Sequence, residues 1–395
     1  MSLTTELIVC VSFVLTSSAV FNLRRQPSCR IAGDHEVELR VPDPAEYAYD
    51  PEISKAIWKK LNIPMSIYIA AIHAASLFWL FFGSPCRLQT LIWASALVWV
   101  GGLGITAGAH RLWAHRSYKA HPLLRALLMV FNSIANQGSI YHWARDHRVH
   151  HIFSDTPADP YDATRGFFFS HCGWLLMKKH PAVLTACRKH VNFVDLDNDP
   201  IVQFQKSLDP VWNFFWCFAF PALVAHGFWE ESWANAILVA GVAKYVWLLH
   251  CTWCVNSIVH KYGAKPYQSP PLCLPRAEEK VSSYHRENVT TESPLVSFLA
   301  FGEGWHSWHH AFPWDYATAE LGAMNQYNPT KMFIDLMSVC GLVSARKRAT
   351  EIWELRKTQW LTAAYETKKE SWKLVESLTG LPLFKVRRII AKQID

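Results

Sequence analysis

The stretch LQTLIWASALVWVGGLGITAGAHRLWAH, residues 88–115, decides the fold. Residues 88–109 are apolar for about the ~20 positions a helix needs to cross a bilayer. The run then closes on two histidines, His110 and His115. Working outward, three more histidine groups come into view. His147, His150 and His151 sit in HRVHH, His306, His309 and His310 in HSWHH, and His260 closes NSIVH. Neutral imidazole is the commonest protein metal ligand, and nine in such groups exceed what one ion holds. The arithmetic points to two metals.

Composition supports a membrane setting. The chain is 51% hydrophobic and 18% charged, with 19 Trp, 13 Tyr and 22 Phe. A soluble enzyme of 395 residues ordinarily carries more charge. The net charge of +7 comes without a basic tract interleaved with exposed aromatics, so no nucleic acid is expected. A membrane surface or an acidic soluble ligand accounts for it. Ten cysteines show no disulfide spacing, and Cys251-x-x-Cys254 lies in an apolar run with no second pair. A reducing, cytosol-facing protein fits.

Four segments have spanning length: 63–83, 88–109, 211–229 and 233–255. Short links, Ser84-Pro85-Cys86-Arg87 and Glu230-Glu231-Ser232, join them into two hairpins. The expected fold is therefore an all-α integral membrane protein. Four transmembrane helices in two hairpins lie under a cytosolic helical cap (110–210 and 256–346) that holds a dimetal site. The intervening segments carry most of the Lys and Arg, which marks them as cytosolic. A fifth apolar run, 123–140, would strand HRVHH on the wrong side if it crossed. Arg125, Asn132, Asn136 and Gln137 interrupt it, so it is expected to lie on or near the membrane. By the same topology the sequon Asn288-Val289-Thr290 stays cytosolic and unmodified. Residues 1–56 form an N-terminal segment with an apolar run, 7–21, that reads as a reversed anchor or a peripheral segment. The core is 57–346, and 347–395 is a charged helical tail.

Helix geometry organises the ligands. Residues i and i+4 share a face, so His147 and His151 can share one ion while His150 reaches the other. Likewise His306 and His310 pair, and His309 turns aside. His110 and His115 are five apart and share no face on a regular helix, so the helix is expected to fray there. Asn256, one turn before His260, can bind metal or hold a water. The other ten histidines, among them His142, His171 and His285, show no such pattern and read as surface or outer residues. An all-imidazole cage suits iron, copper or zinc. Dizinc hydrolases usually add bridging carboxylates, which these motifs lack. A carboxylate-poor diiron centre beside a membrane suggests oxygen activation on a lipid.

Here the chain resembles the membrane fatty acyl-CoA desaturases of the stearoyl-CoA Δ9 type. The resemblance covers residues 57–346 and rests on GAHRLWAHRSYKA, WARDHRVHHIFSDTPADP, RGFFFSHCGWL, TWCVNSIVHKYG and GEGWHSWHHAFPWDY. It implies two iron ions (Fe2+). One is on His110, His115, His147, His151 and His309; the other is on His150, His260, His306 and His310, with Asn256 contributing through water. It implies a fatty acyl-CoA substrate, with Arg145, Asp146, Lys178 and Lys179 at the head group and Trp253 on the substrate path. Lys178 replaces a more usual Arg. It further implies O2 as oxidant and an endoplasmic-reticulum membrane location, with separate cytochrome b5 and NADH-cytochrome b5 reductase as electron source, since no HPGG haem motif is present. Gly138 stands where relatives often have Asn. Val98, Gly101 and Gly102 replace bulkier side chains near the tunnel's closed end, which suggests room for a longer tail. Two other readings compete: a diiron hydroxylase or oxygenase on the same scaffold, and a non-catalytic metal-binding or transporting membrane protein. The latter expects ligands inside the spans.

Overall fold

The computed structural model describes residues 60–267, 290–355 and 357–358. The N-terminal segment 1–56 with its apolar run, the sequon residue Asn288 and the tail beyond 358 lie outside the described residues. The elements that matter are α1 (Ile63–Phe82), α2 (Leu88–Ala114), α3 (Pro122–Ala135), α4 (Ile140–Phe153), α5 (Val211–Trp229), α6 (Trp233–Ser257) and α7 (His306–Ala311). Of these, α1, α2, α5 and α6 are long and apolar enough to cross a bilayer. Their outward side chains suit lipid rather than water: Leu80, Phe81 and Phe82 on α1 and Phe228 on α5 are all well exposed. The protein is an all-α membrane protein with a helical cap.

The two hairpin tips meet, and a buried carboxylate clasps them. Glu231, in the α5–α6 link, accepts from the Arg87 backbone N–H (2.8 Å) and the Thr90 hydroxyl (2.6 Å) of the α1–α2 hairpin. It also accepts from Ser232 N–H (3.0 Å) and Asn235 Nδ2 (3.2 Å). Asn235 in turn donates to the Pro85 carbonyl, and Trp229 Nε1 donates to Thr90. With both tips together at one end, the histidine-bearing ends of α2 and α6 are brought together at the other.

The fifth apolar run does not cross. Helix α3 has 14 residues, which at 1.5 Å per residue is about 21 Å against a hydrocarbon core of about 30 Å. Pro122 starts it, and Asn136, in the left-handed region at φ 46°, ends it. Leu124 and Leu128 are buried, whereas Leu123 and Leu127 are exposed. It packs directly on α2, where a Cβ on Gly104 would sit 2.2 Å from the Asn132 nitrogen. The chain therefore returns to its starting side, and HRVHH stays beside HRLWAH.

The cap is anchored at the same end. Asn62 N–H, just before α1, donates to the Leu176 carbonyl at 2.8 Å, and Lys119–Ala120 pairs antiparallel with Val343–Ser344. A buried cluster that includes Trp113, Leu128, Tyr141, Val149 and Phe193 fills the space between α2, α3 and α4.

Glu231→Ala leaves several buried donors without an acceptor, so it is expected to destabilise the folded protein by about 2–4 kcal/mol. Thermal unfolding in detergent measures this. The Glu231 carboxyl sits below its ordinary 4.5, because its hydrogen bonds outweigh the upward push of burial. Its contribution is therefore full above pH 4.5 and fades as pH falls through the lowered value. The Ala variant should lose that part of the acid sensitivity.

Candidate metal centre

The end of α2 is where helix geometry departs from the sequence expectation. Residues Gly104–Ala114 do not fray; they widen into π-helical winding, and His115 N–H donates to the His110 carbonyl at 3.0 Å, an i→i+5 bond. A wider turn brings i and i+5 onto one face. The His110 and His115 rings consequently lie 4.8 Å apart. Arg148 then ties α4 to this end. Its guanidinium donates to the Trp113 (2.7 Å) and Ala114 (3.1 Å) carbonyls and pairs with both oxygens of Asp195. Carbonyls left over at the end of a helix need such donors. The same contact sets His147 and His151 of α4 against the α2 pair.

The third group is placed by a buried ion pair. Arg111, fully buried, donates through Nε and Nη2 to Glu303 Oε1 at 3.1 and 2.8 Å. The other oxygen of Glu303 lies 3.2 Å from His110 Nδ1. Gly302, at φ +103°, makes the turn that leads Glu303 into α7. His260 follows the end of α6, with its Nδ1 3.3 Å from Asp155, and His150 Nδ1 is 2.9 Å from Asp159.

Nine imidazoles thus form two sets. His110, His115, His147, His151 and His309 offer one nitrogen each, all within 4.8 Å of one another, and so do His150, His260, His306 and His310. In the first set neighbouring Nε2 atoms are 2.8 Å (His115–His147), 3.0 Å (His147–His151), 2.9 Å (His151–His309) and 3.0 Å (His309–His110) apart. In the second, His306 Nε2 is 3.1 Å from His260 and 3.0 Å from His310. Nitrogens ~2.1 Å from one ion and at right angles to each other stand ~3 Å apart. His150 Nε2 is buried with no hydrogen-bond partner, as a lone pair awaiting a cation would be. The donor sets fit two metal ions.

Electrostatics agrees. Burial first, then neighbouring imidazoles, holds His115, His147, His151, His306, His309 and His310 well below the usual histidine range. They are neutral, the ligating form. His150 is raised instead: burial opposes its charge, but the Asp159 carboxylate outweighs it. Carboxylates behind ligating rings fix the tautomer and raise ligand basicity.

A cavity of about 910 Å3 adjoins both sets. Its wall includes His110, His147, His150 and His306, the apolar span residues Ile69, Leu249 and Trp253, and the cap residues Arg145, Asp146 and Lys179. Asn256 lines it too. Arg145 is 2.9 Å from Asp146, which also pairs with Lys179. Burial pushes Asp146 up, but these two cations outweigh it and hold it at about 2. The trio carries one net positive charge.

Lys178 is exposed beside Lys179 and does not itself line the cavity. One expectation needs correction. Gly101 and Gly102 leave no open room: a Cβ would meet Leu248 at 2.9 Å on the first and the Phe301 ring at 2.2 Å on the second. Val98 packs on the same pair. The space lost by the small side chains is filled by these neighbours.

Other residues were missed. Glu303, Asp155 and Asp159 stand behind the ring Nδ1 atoms of His110, His260 and His150, and all three lie within a few positions of the histidine motifs, in GEGWHSWHH and HHIFSDTPAD. Lys206 lines the cavity with its ammonium 3.3 Å from the Tyr141 ring centre. Gln137 donates to Thr252 at 2.9 Å across the same wall.

Known proteins resemble this chain closely. The family model described as fatty acid desaturase matches residues 88–330. An acyl-CoA Delta-9 desaturase of Acheta domesticus is 42% identical over 310 residues, 78% of this chain and 80% of the relative. Stearoyl-CoA desaturase 5 of Bos taurus is 41% identical over 304 residues, 77% and 83% of the two chains. Stearoyl-CoA desaturase of Homo sapiens is 39% identical over 319 residues, 78% and 82%.

Asp159→Asn removes the charge behind His150 alone. Chelator competition on metal-loaded protein should find one ion held roughly 10- to 100-fold more weakly and the other unchanged. Two ions of wild-type affinity would contradict the role given to Asp159.

Proposed function

The chain belongs to the fatty acid desaturase family, and from that premise we propose an acyl-CoA desaturase that inserts a cis double bond at C9 of a saturated fatty acyl-CoA. The observation that carries this reading is the junction of two imidazole sets with one cavity whose wall joins cap cations to apolar span side chains. The overall change is R–CH2–CH2–R′ + O2 + 2e− + 2H+ → R–CH=CH–R′ + 2H2O. We assign the electrons to cytochrome b5, recharged by its NADH reductase, and the location to the endoplasmic reticulum membrane with the cap in the cytosol.

Iron is the metal proposed for both sets, and when bound it supplies the activation of O2 that an unactivated methylene requires. His110, His115, His147, His151 and His309 would hold one ion; His150, His260, His306 and His310 would hold the other, with Asn256 acting through water. The remaining chemistry is positioning. Arg145 and Lys179, with Asp146 between them, offer a phosphate-binding surface to the CoA head, for which guanidinium and ammonium groups are suited. Trp143 stacks on His147 with ring centres 4.8 Å apart and lines the cavity, so it walls the reacting carbons against the ligand face. Trp253 lines the path of the acyl chain. The Gln137–Thr252 bond closes the wall between α3 and α6.

Purified protein given stearoyl-CoA, O2, NADH, cytochrome b5 and its reductase should form a product two hydrogens lighter, unsaturated at C9. A product heavier by one oxygen would instead assign a hydroxylase. His147→Ala is expected to abolish both metal binding and turnover; an active, metal-replete variant would remove it from the ligand set. Lys179→Ala should raise KM for the acyl-CoA roughly tenfold with a smaller change in kcat, as loss of head-group binding does.

A further inference from the structure

Three histidines outside the metal centre form a second connected group. His73 lies midway along α1, His250 in the last third of α6, and His171 in the cap helix Phe169–Gly173. All six ring nitrogens are engaged. His73 Nδ1 is 2.7 Å from the Ile69 carbonyl, and His73 Nε2 is 3.1 Å from His250 Nε2. His250 Nδ1 is 3.0 Å from His171 Nε2, and His171 Nδ1 is 2.9 Å from Ser257 Oγ. A carbonyl only accepts, so the series of neutral rings has one polarity. His73 Nδ1–H donates to Ile69, His250 Nε2–H donates to His73, and His171 Nε2–H donates to His250. The Ser257 hydroxyl closes it by giving its single proton to His171 Nδ1, the Trp253 carbonyl 2.8 Å from the same oxygen being the competing acceptor. A ring bonded through both nitrogens cannot flip or swing without breaking two bonds.

The three locked rings surround one indole. Ring centres of His250, His171 and His73 lie 5.1, 5.7 and 6.1 Å from that of Trp253, the first two edge-on and the third parallel within 10°. These are the separations at which aromatic rings attract. Trp253 is 3% exposed and forms part of the cavity wall. Two of the three histidines sit inside spans, where an apolar ring would fill the same volume without needing partners. What a bonded imidazole adds there is orientation.

We propose that His73, His250 and His171 are positioning residues that hold the Trp253 indole at a fixed tilt against the acyl cavity. They thereby set which methylenes of the saturated chain lie beside the metal centre. The inference rests on the desaturase reading and goes beyond it, since it assigns selectivity to residues that touch neither metal nor substrate.

The test is a double-mutant cycle on the full chain in nanodiscs. His250→Phe keeps the ring and removes both nitrogens, His250→Gln keeps a terminal N–H donor toward His73, and Trp253→Ala removes the indole. Stearoyl-CoA affinity without O2, KM, kcat, double-bond position and the ratio of 16- to 18-carbon products are read together, with metal content alongside. His250→Phe should retain both ions and weaken acyl-CoA binding roughly two- to tenfold, the cost of an indole displaced from its preferred rotamer. It should spread the double bond over neighbouring carbons or shift the chain-length ratio by a similar factor, while kcat changes less. His250→Gln should restore most of the loss, and His250→Phe should add nothing in the Trp253→Ala background. Unchanged affinity and products in a metal-replete His250→Phe, or effects that simply multiply with Trp253→Ala, would overturn the proposal. If His250→Phe does not accumulate, His73→Leu breaks the series at its Ile69 end and is judged by the same two outcomes. A wild-type protein that forms no desaturated product would defeat the desaturase reading instead.

Discussion

Buried imidazole lone pairs converging at ~3 Å are the constraint that the rest of the molecule serves. A ring nitrogen carries either a proton or a lone pair, so four or five neutral histidines facing one point cannot all satisfy one another there. Where a carboxylate accepts from the Nδ1–H, as Asp159 does for His150, the Nε2 atom is left as a bare acceptor aimed inward. Only a cation satisfies several such acceptors at once. The fold has to hold them in place without it.

It does so with charge pairs. The buried pair Arg111 and Glu303 connects the end of α2 to the turn before α7, and Arg148 with the partly exposed Asp195 fastens α4 to the same end. Breaking one partner of the Arg111–Glu303 pair strands a buried charge, which costs about 3–5 kcal/mol, so that geometry is enforced as much by penalty as by attraction. At the far end Glu231 performs the corresponding service for the hairpin tips. The membrane helices act as a rigid stem between two polar fastenings.

Much of this was legible in the residues. Apolar runs of spanning length, two short links and the need for four histidine groups to meet fix the topology, and the i, i+4 pairs His147/His151 and His306/His310 follow from helix geometry. The i+5 pair His110/His115 was harder, because regular helical spacing contains no hint of a locally wider turn. Ligand-orienting carboxylates were overlooked for a related reason: Asp155 and Asp159 lie near the motif in sequence, yet only the loop after α4 turns them back under the rings. Gly101 and Gly102 looked like vacant volume, but a small side chain is a space only if no neighbour fills it, and Leu248 and Phe301 come from distant segments. His171 shows no pattern in one dimension, since its partner His250 lies 79 residues ahead and His250's own partner, His73, lies 177 residues before His250.

The central claim, that the cap gathers distant imidazoles to hold a pair of metal ions, is tested most directly by counting metal. Elemental analysis of purified, iron-reconstituted full-length protein, set against polypeptide quantified by amino-acid analysis, should return two ions per chain. A value of one or fewer in folded protein would contradict the account.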